Sequence, residues 1–224
     1  MKRILTFSII VVFLILGVAV VSGTGGKDIR ALKRALLRNP DDALLHLQLG
    51  HALLKVGRYQ EATKPLKQAI ELQPNFAEAH YSLGIAYGAL GKHLEKIRKF
   101  EETIQIEPRF AGAHFKLGIA HAALDRHQEA SENYKQTLKI DPEYPRAHYF
   151  LALSYYLSNR HKEAIPLLKK EIQLDATQAD AYYTLGLIYL KMNRYQEAMP
   201  QLQMALNINP NLTQSTTAQR VGTY

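Results

Sequence analysis

Between Ala43 and Leu212 the apolar and polar positions recur every 34 residues. Leu49-Gly50, Leu83-Gly84, Leu117-Gly118, Leu151-Ala152 and Leu185-Gly186 mark five copies without insertion. With Ala43 as position 1, position 24 carries Leu66, Phe100, Tyr134, Leu168 and Leu202, and position 28 carries Ile70, Ile104, Leu138, Ile172 and Leu206. This i, i+4 spacing is the stripe of a helix with one buried face. Position 8 is Gly or Ala throughout, and position 20 is Ala62, Lys96, Ala130, Ala164 and Ala198. Small residues there predict two antiparallel helices that cross closely. Pro74, Pro108, Pro142 and Pro210 at position 32 predict the end of each second helix, with Ala176 as the exception. A period of this length predicts one helix-turn-helix unit stacked on itself, each copy burying its apolar face against a neighbour. Lys96 breaks the small-residue column and predicts a weak point, its stem passing Gly84 to reach water.

The run resembles tetratricopeptide (TPR) repeats, whose 34-residue signature sets a large residue, Leu-Gly, Tyr, Ala, Phe and Pro in that order. That resemblance implies an all-α fold, a right-handed superhelix (solenoid) of helix-turn-helix units. His46, His80, His114 and His148 stand at position 4, where the family often has Trp; many bacterial-type members resemble this chain there. Repeats are expected at 43–76, 77–110, 111–144, 145–178 and 179–212. Residues 27–42 read as a lone second helix, a capping half-repeat with the apolar stripe Ile29, Leu32 and Leu36. The stretch 213–224 is polar with little apolar periodicity. It predicts a frayed tail and a half-exposed last helix.

Residues 1–26 differ in kind. Lys2 and Arg3 precede an uncharged run from Ile4 to Ser22 with fourteen Ile, Leu, Phe and Val. At ~1.5 Å per residue these positions span roughly 28 Å, against a bilayer core of ~30 Å. The segment is therefore expected to be a transmembrane anchor with a Gly-rich linker, and residues 4–22 to make the membrane a partner. A cleaved signal segment ending near Ser22-Gly23-Thr24-Gly25-Gly26 is the alternative. A short basic end before the apolar run places the repeats outside the cytoplasm. Lys27, Arg30, Lys33, Arg34 and Arg38 on the far side argue for the reverse.

Composition narrows the chemistry. Without cysteine, thiol catalysis and Cys-based zinc sites are excluded, and neither His-Glu-x-x-His nor Gly-x-Ser-x-Gly occurs. Gly25-Gly26-Lys27-Asp28 fails as a phosphate loop, because Asp28 stands where Ser or Thr binds magnesium and Val21 where the first glycine belongs. The position-4 histidines form a ladder spaced by about the 10 Å between packed helices, too far apart to share one metal ion. His93, His127 and His161, at position 17, are excluded likewise. Hence no catalytic residue, metal, cofactor or small-molecule substrate is expected. The formal net charge of +8 is modest. Its lysines fall largely on second helices and lack the motifs of RNA-binding modules, so nucleic acid is a disfavoured partner.

The family resemblance implies a concave groove lined by positions 2, 5, 9, 12 and 13 of the first helices. Position 5 reads Leu47, Tyr81, Phe115, Tyr149 and Tyr183; position 9 reads His51, Ile85, Ile119, Leu153 and Leu187. Positions 12 and 13 are small in the second and third copies, as Gly88, Ala89, Ala122 and Ala123, which predicts a hollow walled by Tyr81, Ile85, Phe115, Ile119 and Tyr149. The chaperone-binding type of the family is not matched. Its five sites fall on Leu47, His51, Ser82, Gly112 and Lys116, of which one agrees. The Asn ladder of the sugar-transferase type is replaced by Gln48, Ser82, Lys116, Phe150 and Thr184. The expected function is a non-catalytic scaffold near a membrane, binding a protein or peptide segment with an apolar anchor. An accessory subunit of an envelope assembly or secretion machine is the alternative, and a basic RNA-binding solenoid the next.

Overall fold

The computed structural model describes residues 25–212, and these form eleven helices with no strand. Two compact units divide the chain at Pro74. The first contains α1 (Gly25–Arg38), α2 (Ala43–Lys55) and α3 (Tyr59–Leu72). In it α2 packs on both α1 and α3. The second contains α4 (Ala77–Ala89), α5 (His93–Ile106), α6 (Ala111–Ala122), α7 (His127–Ile140), α8 (Ala147–Leu157), α9 (His161–Leu174), α10 (Ala179–Lys191) and α11 (Tyr195–Ile208). Here each helix packs against the next in sequence, the contact pattern of an all-α solenoid.

Position 8 is small because position 24 of the same repeat fills the space beside it. A Cβ on Gly50 would overlap Leu66, and one on Gly84, Gly118 or Gly186 would lie 2.6 Å from Phe100, Tyr134 or Leu202 respectively. Phe100 and Tyr134 are buried there. Lys96 therefore does not pass Gly84. Its Cδ lies 2.9 Å from where a Cβ on Gly88 would be, one helical turn further on.

The turn inside each helix pair is built at positions 15 and 16. Gly57, Gly91, Asp125, Asn159 and Asn193 all have a φ between 57 and 74°, the left-handed region that Gly, Asn and Asp tolerate best. After each, the amide of Arg58, Lys92, Arg126, Arg160 or Arg194 donates back to a carbonyl five residues earlier, at 2.8–3.0 Å, closing the first helix with a Schellman-type bond. The position-16 cations also bridge the pair. Arg160 lies 4.2 Å from the ring centre of Tyr155 and 2.9 Å from Glu163, and Arg194 lies 4.6 Å from that of Tyr189 and pairs with Glu197. Pro65, Pro166 and Pro200 sit inside α3, α9 and α11 without ending them.

The expectation of a single amino-terminal membrane anchor is corrected. No helix among the described residues is long and apolar enough to cross a membrane. The longest has 14 residues, about 21 Å at ~1.5 Å each, against a core of ~30 Å. Residues 4–22, on which the expectation fell, lie outside the described residues, as does the tail 213–224.

Candidate functional site

Twelve of the groove residues lie in the second unit, on α4, α6, α8 and α10 or, for Ala123, just past the end of α6, and their exposure divides them. Phe115, Ile119, Tyr149 and Leu153 are buried in its main apolar cluster. Tyr81, Ile85, Gly88, Tyr183 and Leu187 are half-buried. Ala122 is half-buried and packs against the same cluster, so it does not point away from the core; Ala89 and Ala123 are exposed. The surface offered is thus small and apolar at the ends of α4 and α6, with the larger side chains set behind it.

Aromatic rings anchor those side chains. Phe115 lies 4.9 Å from Tyr144, 5.5 Å from Phe150 and 5.7 Å from Tyr134 between ring centres, and Tyr81 lies 4.9 Å from Phe110. Such tilted and edge-on pairs lock ring orientation beyond simple area burial. Phe110 and Tyr144, which precede α6 and the turn into α8, were not singled out in the sequence. Their signal is the column Phe76, Phe110 and Tyr144 at position 34. The hydroxyls of Tyr81 and Tyr144 converge on Gly112, 3.3 and 3.5 Å from the place of its absent Cβ. Burial, with Tyr144 nearby, pushes the Tyr81 phenol up to about 12, so it is a neutral donor at physiological pH.

At Gly88 the expected hollow is partly occupied by the Lys96 stem. Burial, and then the charge of Lys116, lowers the Lys96 ammonium from its ordinary value; burial alone lowers that of Lys116. Neither lysine has an ion-pair partner among the described residues.

A buried polar group under α8 also went unread in the sequence. Glu171 of α9 is 3% exposed and its Oε2 accepts from the Tyr149 amide at 3.3 Å, in the first turn of α8 where free amides favour an anion. Burial nevertheless raises its carboxyl. Arg146, in the left-handed region with φ 63°, stacks 4.7 Å from the Tyr149 ring and reaches Asp180 at 3.3 Å.

The histidine ladder is structural in three of its members. His46 and His114 donate Nε2–H to the carbonyls of Pro40 and Pro108 at 2.8 and 3.0 Å, tying each first helix to the preceding turn. His80 Nδ1 lies 2.7 Å from Glu102, which also holds Lys99. Burial raises the Glu102 carboxyl, but the Lys99 and His80 contacts outweigh it and hold it below the usual range. Among the described residues no three His, Asp or Glu side chains gather as metal ligands would.

With this geometry the comparisons are consistent. Profiles described as TPR repeat and tetratricopeptide repeat match residues 51–91 and 31–64, and one described as anaphase-promoting complex, cyclosome, subunit 3 matches 123–205. The chain carries tetratricopeptide repeats, matched over residues 31–91. Among solved structures, YrrB, described as a TPR protein with an unusual peptide-binding site, is 20% identical with a TM-score of 0.73, over 85% of this chain and 98% of that one. MamA from Desulfovibrio magneticus RS-1 is 20% identical with a TM-score of 0.70, over 76% and 96%. A thermophilic TPR protein of Thermus thermophilus is 26% identical with a TM-score of 0.56, over 77% and 94%. These likenesses are of fold. No curated protein sequence matches the chain.

Proposed function

We propose that the chain is a non-catalytic scaffold whose first helices bind a protein or peptide segment through an apolar anchor. The observation that carries this reading is the apolar character of the candidate strip, at positions 5 and 9 of the second unit's first helices and at positions 12 and 13 of the second and third repeats. None of the twelve groove residues is a carboxylate, lysine, arginine or histidine. Of the ion pairs in the second unit, Lys99–Glu102, Lys135–Glu132, Arg160–Glu163 and Arg194–Glu197 lie on the second helices or the turns that open them, whereas Arg146–Asp180 and His80–Glu102 involve first helices at positions outside the strip. An uncharged strip ending in the exposed Ala89 and Ala123, with Tyr81, Ile85, Tyr183 and Leu187 half-open behind, suits an aliphatic or aromatic side chain. The peptide-binding site of YrrB, on a similar fold, agrees with this reading. Selection from a displayed random peptide library tests it. Enriched sequences are expected to share one aromatic or branched aliphatic residue and to bind nearly independently of salt. Enrichment defined by acidic residues alone, with binding lost in salt, contradicts the apolar anchor.

A further inference from the structure

We infer that Lys96 and Lys116 together hold a carboxylate, supplied by an Asp or Glu side chain of the bound segment beside its apolar anchor. The inference rests on the groove reading above and adds a second contact to it. Lys96 of α5 lays its stem against a groove residue of α4, its Cδ 2.9 Å from where a Cβ on Gly88 would be. Lys116 of α6 stands four residues after Gly112 at position 2 and three before Ile119 at position 9, so helical spacing puts it on the face of these groove positions. The two side chains are near enough for the charge of Lys116 to act on Lys96. Two helices thus bring two cations to the border of the strip at the second and third repeats.

These lysines lack what other cations of the unit have. Lys99, Lys135, Arg160 and Arg194 each pair with an acid three residues away. Three and four residues from Lys96 stand Lys92, His93, Lys99 and Phe100, and from Lys116 stand Gly112, Ala113, Ile119 and Ala120, so neither helix offers a carboxylate at that spacing. The whole of α6 carries no acid. Both lysines are half-buried, and an ammonium drawn partly out of water without a counterion is costly. Two such groups side by side add their own repulsion.

One carboxylate answers both costs. Its two oxygens accept from two ammoniums at once, and its charge replaces the missing counterion. Gly88 borders the Lys96 stem and is followed by the exposed Ala89 of the strip, so acid and anchor lie within a few residues of each other on the bound segment. Half-burial limits screening of the contact, which is compatible with binding that changes little with salt. The arrangement is not that of the chaperone-binding type, whose five sites all fall on first helices, whereas Lys96 lies on a second.

A random peptide library fused at its C-terminal end, so that side chains alone supply carboxylates, is selected on the full-length wild type, and the enriched peptides are synthesised with an amidated end. They are expected to carry Asp or Glu at a fixed spacing from the apolar residue. Asn or Gln in its place should weaken binding to the wild type at least tenfold, but to Lys96→Met or Lys116→Met less than twofold, with the fold of each variant checked by circular dichroism. Apolar enrichment without a fixed acid overturns the inference and leaves the groove reading standing. A fixed acid whose loss costs the Met variants as much as the wild type also overturns it, because the carboxylate then sits elsewhere. A fixed acid without an apolar residue, its effect still lost in the Met variants, keeps the carboxylate site and removes the apolar anchor instead. Enrichment of neither kind overturns both. A tenfold gain that needs a free chain end in place of the amide assigns the lysines to a terminal carboxylate and overturns the side-chain source.

Discussion

Replacing the Gly88 and Lys96 pair by two alanines should stabilise the second unit, and each single replacement should reveal why the pair exists. Where position 20 is Ala, position 12 is Leu54, Ala122, Tyr156 or Leu190; where position 20 is Lys96, position 12 is Gly88. The Lys96 stem occupies the missing volume, 2.9 Å from where a Cβ would stand. Ala in place of Gly88 gains about 1 kcal/mol of helix propensity, but its methyl must displace the stem, so the single change is expected to gain less than that. Removing the Lys96 stem loses roughly half the burial of about three methylenes at ~0.8 kcal/mol each, on the order of 1 kcal/mol. Relief of a half-buried ammonium, lowered by burial and by Lys116, offsets that loss. Lys96→Ala alone is thus near neutral, and not stabilising as its place in the small-residue column suggests. The double variant keeps the helix-propensity gain without the clash, about 1 kcal/mol, with a favourable coupling of roughly 0.5 to 1 kcal/mol. Urea midpoints at constant slope for the wild type, both singles and the double complete the cycle. Zero coupling would refute the claim that Lys96 fills the Gly88 space. A loss well above about 2 kcal/mol in Lys96→Ala would show that the ammonium has a partner.

Tyr134→Phe is expected to raise stability by roughly 1 kcal/mol in the same assay. The Tyr134 hydroxyl is buried without a hydrogen-bond partner among the described residues, and Phe100 fills the equivalent place. A lower midpoint would mean the hydroxyl is satisfied. Glu171→Gln, which keeps an oxygen for the Tyr149 amide, is expected to stabilise the unit at about pH 7. Because burial raises the folded carboxyl of Glu171, its neutral form is favoured at low pH, and that contribution is lost as pH rises through the folded value. The advantage of Gln over Glu should therefore vanish near about pH 4; a constant advantage from about pH 4 to 8 would contradict this account.

The fold was legible because its evidence repeats. The columns at positions 8, 24 and 28 each state the same packing several times, so one exception such as Lys96 or Ala176 cannot hide it. Even the left-handed turn was written in sequence, as Gly57, Gly91, Asp125, Asn159 and Asn193. What escaped were contacts without a period. Glu171 stands where the other four repeats have Ala or Thr, and its acceptance of the Tyr149 amide depends on how α9 meets the start of α8. Arg146 stacks on Tyr149 only because its own backbone turns left-handed after Pro145. Proline was also ambiguous. At position 32 it follows a helix, whereas Pro65, Pro166 and Pro200 lie within one. For the groove, the pattern identified apolar columns but not their depth, which is set by rings contributed from position 34.

Paired substitution on the two faces tests the central claim most directly. A peptide selected for binding to the wild type is titrated against Ala123→Trp, at an exposed place at the end of α6, and against Lys169→Glu, exposed on α9. With folding verified for both, the account predicts that the Trp weakens binding by roughly 30-fold or more, the equivalent of about 2 kcal/mol at an anchor site, while Lys169→Glu leaves it unchanged. Full binding by Ala123→Trp together with loss in Lys169→Glu would place the partner on the second helices and contradict the account.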